Sequence, residues 1–251
     1  MLSVKEVSKD FILSSGIFGA KSGSVTALER VSLEVGAGET FALIGESGSG
    51  KTTLARIIAR LTPATAGEVV FEKIGTDSFR KDVQIIFQNP YASLNPRMRV
   101  GEIIAEPLLI HRLAKGADLR ARVVSLLRLV EMDADAAERL PAQFSGGQRQ
   151  RICIARALAT SPKFLILDEP LSSLDLTIQA RMLDMLMDLK EKLGMTYFFI
   201  THNLCLVKRV AERVAVMKDG RVVEQGETSR VFSAPEHPYT KSLIAAASGR
   251  I

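Results

Sequence analysis

An α/β fold built on a largely parallel sheet is what this sequence predicts, and three stretches predict it. Phe41-Ala42-Leu43-Ile44 is an unbroken apolar run that ends in a glycine-rich loop and then gives way to helical spacing. Phe164 to Leu167 is a second such run, and Tyr197 to Ile200 is a third, with a helical pattern between them. Buried strands that alternate with helices imply parallel pairing, because a crossover between parallel strands needs a connection of helix length.

In chain order, Val31, Leu33 and Val35 alternate with polar neighbours and form a half-exposed strand. Gly36-Ala37-Gly38 then turns the chain into the buried strand at Phe41. After Gly50 the period changes, with Leu54, Ile57, Ile58 and Leu61 at i, i+3, i+4 and i+7 until Pro63 stops the run. Residues 89–160 read as a helical insertion. They open on turns at Asn89-Pro90 and Asn95-Pro96 and continue with Leu119, Val123, Leu126, Leu127 and Val130 on one helical face. Met182, Met185, Leu186, Leu189 and Leu193 give a further helix that Gly194 ends. Asp219-Gly220, between Val214 to Met217 and Val222-Val223, is a hairpin signal. The sequence shows no internal repeat.

Composition excludes several classes of function. With 251 residues, 47% hydrophobic and 24% charged, the chain is a folded globular protein and not a mini-protein, collagen or low-complexity sequence. Two cysteines, Cys153 and Cys205, and no secretory pattern over Met1 to Asp10 point to a reducing cytosol without disulfides. No uncharged apolar run approaches the ~18 residues a membrane span requires. A net charge of +5 permits a polyanion or an anionic membrane surface as partner. Trp is absent, and the Phe and Tyr residues are scattered rather than interleaved with basic ones, which argues against a base-stacking nucleic-acid platform.

Three short segments carry the chemistry. Gly45-Glu46-Ser47-Gly48-Ser49-Gly50-Lys51-Thr52 fits G-x-x-x-x-G-K-[ST] between a buried strand and an amphipathic helix. Triphosphate oxygens need many donors in a small volume. Glycines let backbone N–H groups point inward, the helix start adds its dipole, Lys51 reaches the β/γ-phosphates and Thr52 holds Mg²⁺. The alternative is a plain glycine turn before a helix. Asp168 and Glu169 stand where the second apolar run ends, the position ligands take in open α/β sheets. Asp168 suits a Mg²⁺ shell and Glu169 suits a base that orients the attacking water, against the alternative of a solvated acidic pair.

Ser145-Gly146-Gly147-Gln148 is both a capping box and more than one. Two glycines in a first turn cost about 1 kcal/mol each relative to Ala, so their presence favours close backbone approach to an anion. Because the Lys51 loop already provides one phosphate site, this second one is expected to close over a nucleotide held by another subunit.

Together with Leu167-Asp168-Glu169-Pro170, Ser173-Leu174-Asp175 and Thr201-His202, these segments resemble the motif series of ABC transporter ATPases over nearly the whole chain. The resemblance implies a P-loop NTPase (RecA-like) core at 1–88 and 161–251 with an N-terminal antiparallel β region. It also implies a helical subdomain at 89–160 that carries the signature motif. ATP and Mg²⁺ are the implied cofactors, held by Gly45, Ser47, Gly48, Gly50, Lys51, Thr52 and Thr53. Gln88 is implied to sense Mg²⁺ and the transmembrane partner, and Asp175 to make cross-subunit contacts. His202 is implied to act as the γ-phosphate switch, and Phe11 to stack on adenine, although an aromatic in a strand also suits a core. His202 and Cys205 are spaced like a fragment of a metal site, without a second pair to complete it. Cys153 reads as core, and His111 and His237 receive no role.

The sequence departs from the family at Phe144, where Leu is usual, at Leu171, where Thr is frequent, and at Asn203, where Asp usually follows the switch histidine. Phe87 to Arg97 and Pro235-Glu236-His237-Pro238-Tyr239-Thr240 resemble the dipeptide, oligopeptide and nickel importers. The chain ends soon after Tyr239, without the longer tail of many peptide-importer ATPases, which keeps nickel or metallophore uptake open beside peptide uptake. The implied partners are integral membrane permease subunits, a second ATPase subunit and, indirectly, a solute-binding protein, with no nucleic acid. The implied location is the cytoplasmic face of the inner membrane. Two other classes remain: a soluble ABC ATPase acting on nucleic acid or ribosomes, and a nucleotide-binding regulator without turnover.

Overall fold

The computed structural model describes residues 1–14, 21–89 and 93–248. The chain divides into two compact units, Met1–Gly75 with Tyr197–Ile251, and Thr76–Thr196.

In the first unit, β1 (Leu2–Ser14) pairs antiparallel with β2 (Lys21–Val35) on one side and β4 (Ala66–Phe71) on the other. The β2 residues Val31, Leu33 and Val35 are buried, as their alternation predicts. Between β2 and β4 in sequence lies β3 (Thr40–Ile44), buried along its whole length. It runs parallel to β7 (Thr196–Ile200) and to β8 (Arg213–Lys218). A strand flanked on both edges and covered on both faces favours apolar side chains, which is why Phe41 to Ile44 reads as a continuous apolar run after the buried Thr40. Full burial of Phe41, Leu43 or Ile44 contributes roughly 1.5–3 kcal/mol each.

β8 turns through Asp219 and Gly220, both at positive φ, into antiparallel β9 (Arg221–Glu227). Two positive φ values in a two-residue connection match the twist of the flanking strands. The helices of this unit are α1 (Lys51–Ile58), α7 (Leu204–Val210), α8 (Thr228–Ser233) and α9 (Pro238–Ser248). α9 packs Leu243, Ile244 and Ala247 against a core of Ala42, Ile44, Val207, Val214, Val216 and Tyr239.

The helix after the glycine loop is shorter than its apolar spacing predicts. α1 ends at Ile58, and Leu61 lies outside it, 49% exposed. Arg60 adopts φ +54, so the Leu61 N–H reaches back to the Arg56 carbonyl at 2.8 Å and the Arg60 N–H to Ile57 at 2.9 Å. This left-handed closure satisfies the terminal carbonyls before Pro63 is reached.

In the second unit, β5 (Val83–Ile86) follows α2 (Phe79–Asp82) and runs parallel to β6 (Phe164–Asp168). Its helices are α3 (Val100–Ile110), α4 (Gly116–Leu129), α5 (Gly146–Leu158) and α6 (Leu176–Leu193). On α4, Val123 and Leu127 are buried. Gly194 closes α6 at φ 62, the left-handed conformation in which a glycine carries no Cβ penalty. Among the described residues, no helix is long and apolar enough to cross a membrane.

Candidate functional site

The loop between β3 and α1 is built by close packing. Gly45 has φ +152, and a Cβ there would lie 2.1 Å from the Met217 carbonyl oxygen. Gly50 has φ +104, and a Cβ there would lie 2.6 Å from the Ala27 carbonyl oxygen. Neither position tolerates another residue. The Gly220 amide of the β8–β9 turn donates to the Ser49 carbonyl at 3.1 Å and holds the loop from behind.

Lys51 is buried, and its Nζ donates to the carbonyls of Gly45 at 2.8 Å and Glu46 at 2.6 Å and to Ser49 Oγ at 3.4 Å. The ammonium is therefore gathered into the curve of the loop. No side chain caps α1, so its first turn opens directly on the loop, as an anion-binding helix start does. Backbone folded through positive φ at Gly48 and Gly50, with one buried cation, fits a polyphosphate. Within this unit the Thr52 hydroxyl beside Lys51 is an oxygen donor of the hard kind that Mg²⁺ prefers.

The carboxylates sit in the second unit. Asp168 ends β6 and is 3% exposed. Glu169 is half-buried, and its Oε2 accepts from Gln88 Nε2 at 3.2 Å, so the structure brings these two predicted residues together. Glu169 also has φ +49, although a residue before proline favours extended backbone. Such a conformation costs of order 1–3 kcal/mol and persists only where its surroundings impose it. Here the Glu169 carbonyl accepts from the Ser172 hydroxyl at 3.1 Å and the Ser172 amide at 3.3 Å.

The turn at Ser145 is a complete capping box: Ser145 Oγ accepts from the Gln148 amide at 3.3 Å and Gln148 Oε1 from the Ser145 amide at 3.0 Å. The two glycines differ. A Cβ on Gly147 would lie 3.1 Å from Ile178 Cγ2, so packing against α6 gives Gly147 a reason within the chain. Gly146 would meet only Leu174 at an ordinary 3.8 Å, so nothing in the chain demands glycine there. Asp175 caps α6, accepting from the Ile178 amide at 3.0 Å. Sequence reading passed over Arg149, which is buried and donates to the carbonyls of Pro141 and Ala142 at 2.7 and 3.1 Å, fixing the chain that leads into this turn.

His202 and Phe11 lie in the first unit, the former exposed after β7 and the latter on β1 opposite Val25. The Phe11 ring is 43% exposed, with the Lys9 ammonium 5.1 Å from its centroid, so it is not a core side chain. Asn203 caps α7, accepting from the Cys205 amide at 3.1 Å, a task an amide performs as well as a carboxylate. Phe144 is buried under the Arg139 guanidinium, 4.5 Å from its ring centroid. Burial raises the Cys153 thiol to about 11, which suits its place in the core. Pro90, Tyr91 and Ala92 of the importer-like segment lie outside the described residues.

A family model described as "ABC transporter" matches residues 28–172. The glutathione import ATP-binding proteins GsiA of Escherichia coli (strain K12) and Shigella flexneri serotype 5b (strain 8401) are each 46% identical over 254 aligned residues, 98% of this chain. The chain spans about two fifths of the length of these curated relatives, 41% in each case. Among solved structures, a dimeric ATP-binding cassette in a post-hydrolysis state bound to ADP and Pi superposes with a TM-score of 0.79 at 31% identity, over 91% of this chain and 99% of that one. The cbiO1 protein of Clostridium perfringens, part of an ABC transporter complex, gives 0.77 at 26% identity over 100% of this chain and 95% of that one.

Proposed function

The chain belongs to the ABC transporter family, and we propose that it is the ATP-hydrolysing subunit of an importer of peptides. The observation that carries this reading is the phosphate loop, with two glycines no other residue can replace and a buried lysine drawn into its curve. Import and a peptide substrate are supported by the GsiA relatives, named for glutathione import, and by the Pro235 to Thr240 segment. Glutathione is itself a short peptide. In this reading residues 1–88 and 161–251 form the nucleotide-binding core and 89–160 the signature subdomain. The protein works at the cytoplasmic face of the membrane beside separate permease subunits, which a solute-binding protein supplies.

MgATP, when bound, supplies the γ-phosphoryl bond and a divalent charge to offset its oxygens. Gly45, Ser47, Gly48, Gly50, Lys51, Thr52 and Thr53 hold the phosphates, and Phe11 offers its exposed ring to the base. Thr52, Gln88 and Asp168 provide oxygen ligands for the metal. Glu169 accepts the proton of the attacking water, Gln88 positions that carboxylate through their hydrogen bond, and His202 reports on the γ-phosphate.

Deleting the coding sequence in its source strain should abolish uptake of labelled glutathione or dipeptides. Loss of nickel uptake with peptide uptake intact would move the substrate to the metal class. Loss of neither would sink the importer reading.

Ser145 to Gln148 provides donors without a lysine, so it completes a site whose Lys51-type loop belongs to a second copy or a paralogue. Ser145→Arg fills that turn with a bulky side chain. It also removes the cap, at about 1 kcal/mol, too little to unfold a domain of this size. In a Glu169→Gln background, light scattering with ATP should show dimers, and adding Ser145→Arg should leave monomers. Equal dimerisation would reduce Ser145 and Gln148 to their capping role.

A further inference from the structure

The Pro235 to Thr240 segment enters the site through a single hydroxyl. Tyr239 stands in the first turn of α9 and is 8% exposed, and its hydroxyl accepts a hydrogen bond from the Glu46 amide at 3.1 Å across 193 residues of sequence. The Gly45 carbonyl belongs to the same peptide unit as the Glu46 amide. In a trans peptide these two groups point in opposite directions. The Gly45 carbonyl accepts from Lys51 Nζ at 2.8 Å. One peptide plane is therefore pinned on both edges, by Tyr239 outside the loop and by the lysine inside it.

Tyr239 is itself held firmly. The Lys218 ammonium lies 4.9 Å from its ring centroid, and its amide donates to His237 Nδ1 at 3.1 Å. The Glu224 carboxylate accepts from the Glu236 and His237 amides at 2.9 and 3.0 Å, which fixes the chain entering α9. Burial raises the phenol above its ordinary value, so the hydroxyl keeps its proton through the physiological range.

We propose that Tyr239 is a positioning residue for nucleotide binding: by anchoring the Gly45–Glu46 peptide it presets the loop carbonyls that orient Lys51 toward the phosphates. The proposal rests on the loop being the nucleotide site. Without the hydroxyl the peptide is free to rotate, and binding must first restore its orientation. Tyr239→Phe keeps the ring and its packing, and should raise the Kd for a fluorescent Mg-nucleotide and the KM for ATP about three- to tenfold, with kcat unchanged, as loss of the hydrogen bond to the Glu46 amide implies.

The comparison is Leu243→Ala, which loosens α9 where it packs on the core and leaves the Tyr239 hydroxyl to accept from the Glu46 amide. It should lower the melting temperature and leave the Kd unchanged. Hydrogen exchange gives a second reading in the unaltered chain, where the Glu46 amide should be protected before nucleotide is added, and Tyr239→Phe should release that protection. An unchanged Kd in Tyr239→Phe, an equal Kd increase in Leu243→Ala, or rapid Glu46 exchange in the unaltered protein would each overturn the proposal. Lys51→Ala serves as reference: if it too binds nucleotide normally, the site reading itself fails, and if it alone loses binding, only the role of Tyr239 does.

Discussion

Replacing Glu169 by Gln should leave MgATP binding intact and lower steady-state turnover by about 10²–10⁴, the contribution typical of a positioned general base. The geometry makes this substitution informative. Gln88 donates its side-chain amide to Glu169 Oε2, and the carbonyl oxygen of a glutamine can accept the same bond, so the side chain need not move. The left-handed backbone at position 169 costs a glutamine as much as a glutamate, and the Ser172 contacts to the carbonyl are unaffected. What disappears is the ability to take a proton from water. Phosphate release and nucleotide affinity measured on the same preparation separate the two effects. Hydrolysis at the rate of the unaltered chain would remove Glu169 from the catalytic role and leave its strained turn without a chemical reason.

Some of this site could be read from residue order and some could not, and the difference is physical. The strand, loop and helix around Gly45 are legible because a parallel strand covered on both faces favours apolar side chains, as Phe41 to Ile44 show, and the following glycines have no structural alternative at φ +152 and +104. Gly194 and Asp219-Gly220 are legible for the same reason, since their backbone angles select their residue types. Glu169 at φ +49 and Arg60 at φ +54 gave no such signal, because both conformations are imposed by surrounding hydrogen bonds on residues that do not prefer them. Apolar spacing therefore carried the first helix through Leu61, one residue past a left-handed Arg60 that ended it. The packing of Gly147 on Ile178 and the bond from Glu46 to Tyr239 are tertiary contacts between distant segments. Spacing within a segment holds no information about them. Sequence reading could mark Pro235 to Thr240 as unusual without seeing that one hydroxyl in it reaches the loop.

Lys51→Ala should abolish nucleotide binding or turnover, by about 10²-fold or more, while the fold survives. The size follows from what is lost. A buried ammonium interacting with phosphate oxygens away from bulk water is a charge-assisted contact, and truncating one member of such a pair costs about 2–5 kcal/mol in affinity. Survival of the fold follows from what remains. Alanine is the best helix former at the start of α1, the glycine cradle is held by Met217 and Ala27 packing rather than by the lysine, and Gly220 still donates to the Ser49 carbonyl. The carbonyls of Gly45 and Glu46 lose their donor, but they border a loop open enough for Glu46, Ser47 and Gly48 to be exposed, so water can replace it. Lys51→Arg should not rescue. Its planar guanidinium is larger and cannot direct three tetrahedral donors at Gly45 O, Glu46 O and Ser49 Oγ from one nitrogen. The measurements are a Mg-nucleotide titration and a phosphate-release assay, each beside a thermal melt of the same sample. Normal turnover in Lys51→Ala with an unchanged melt would show that the ammonium serves only the loop's own carbonyls, and the phosphate-site reading would fall with it.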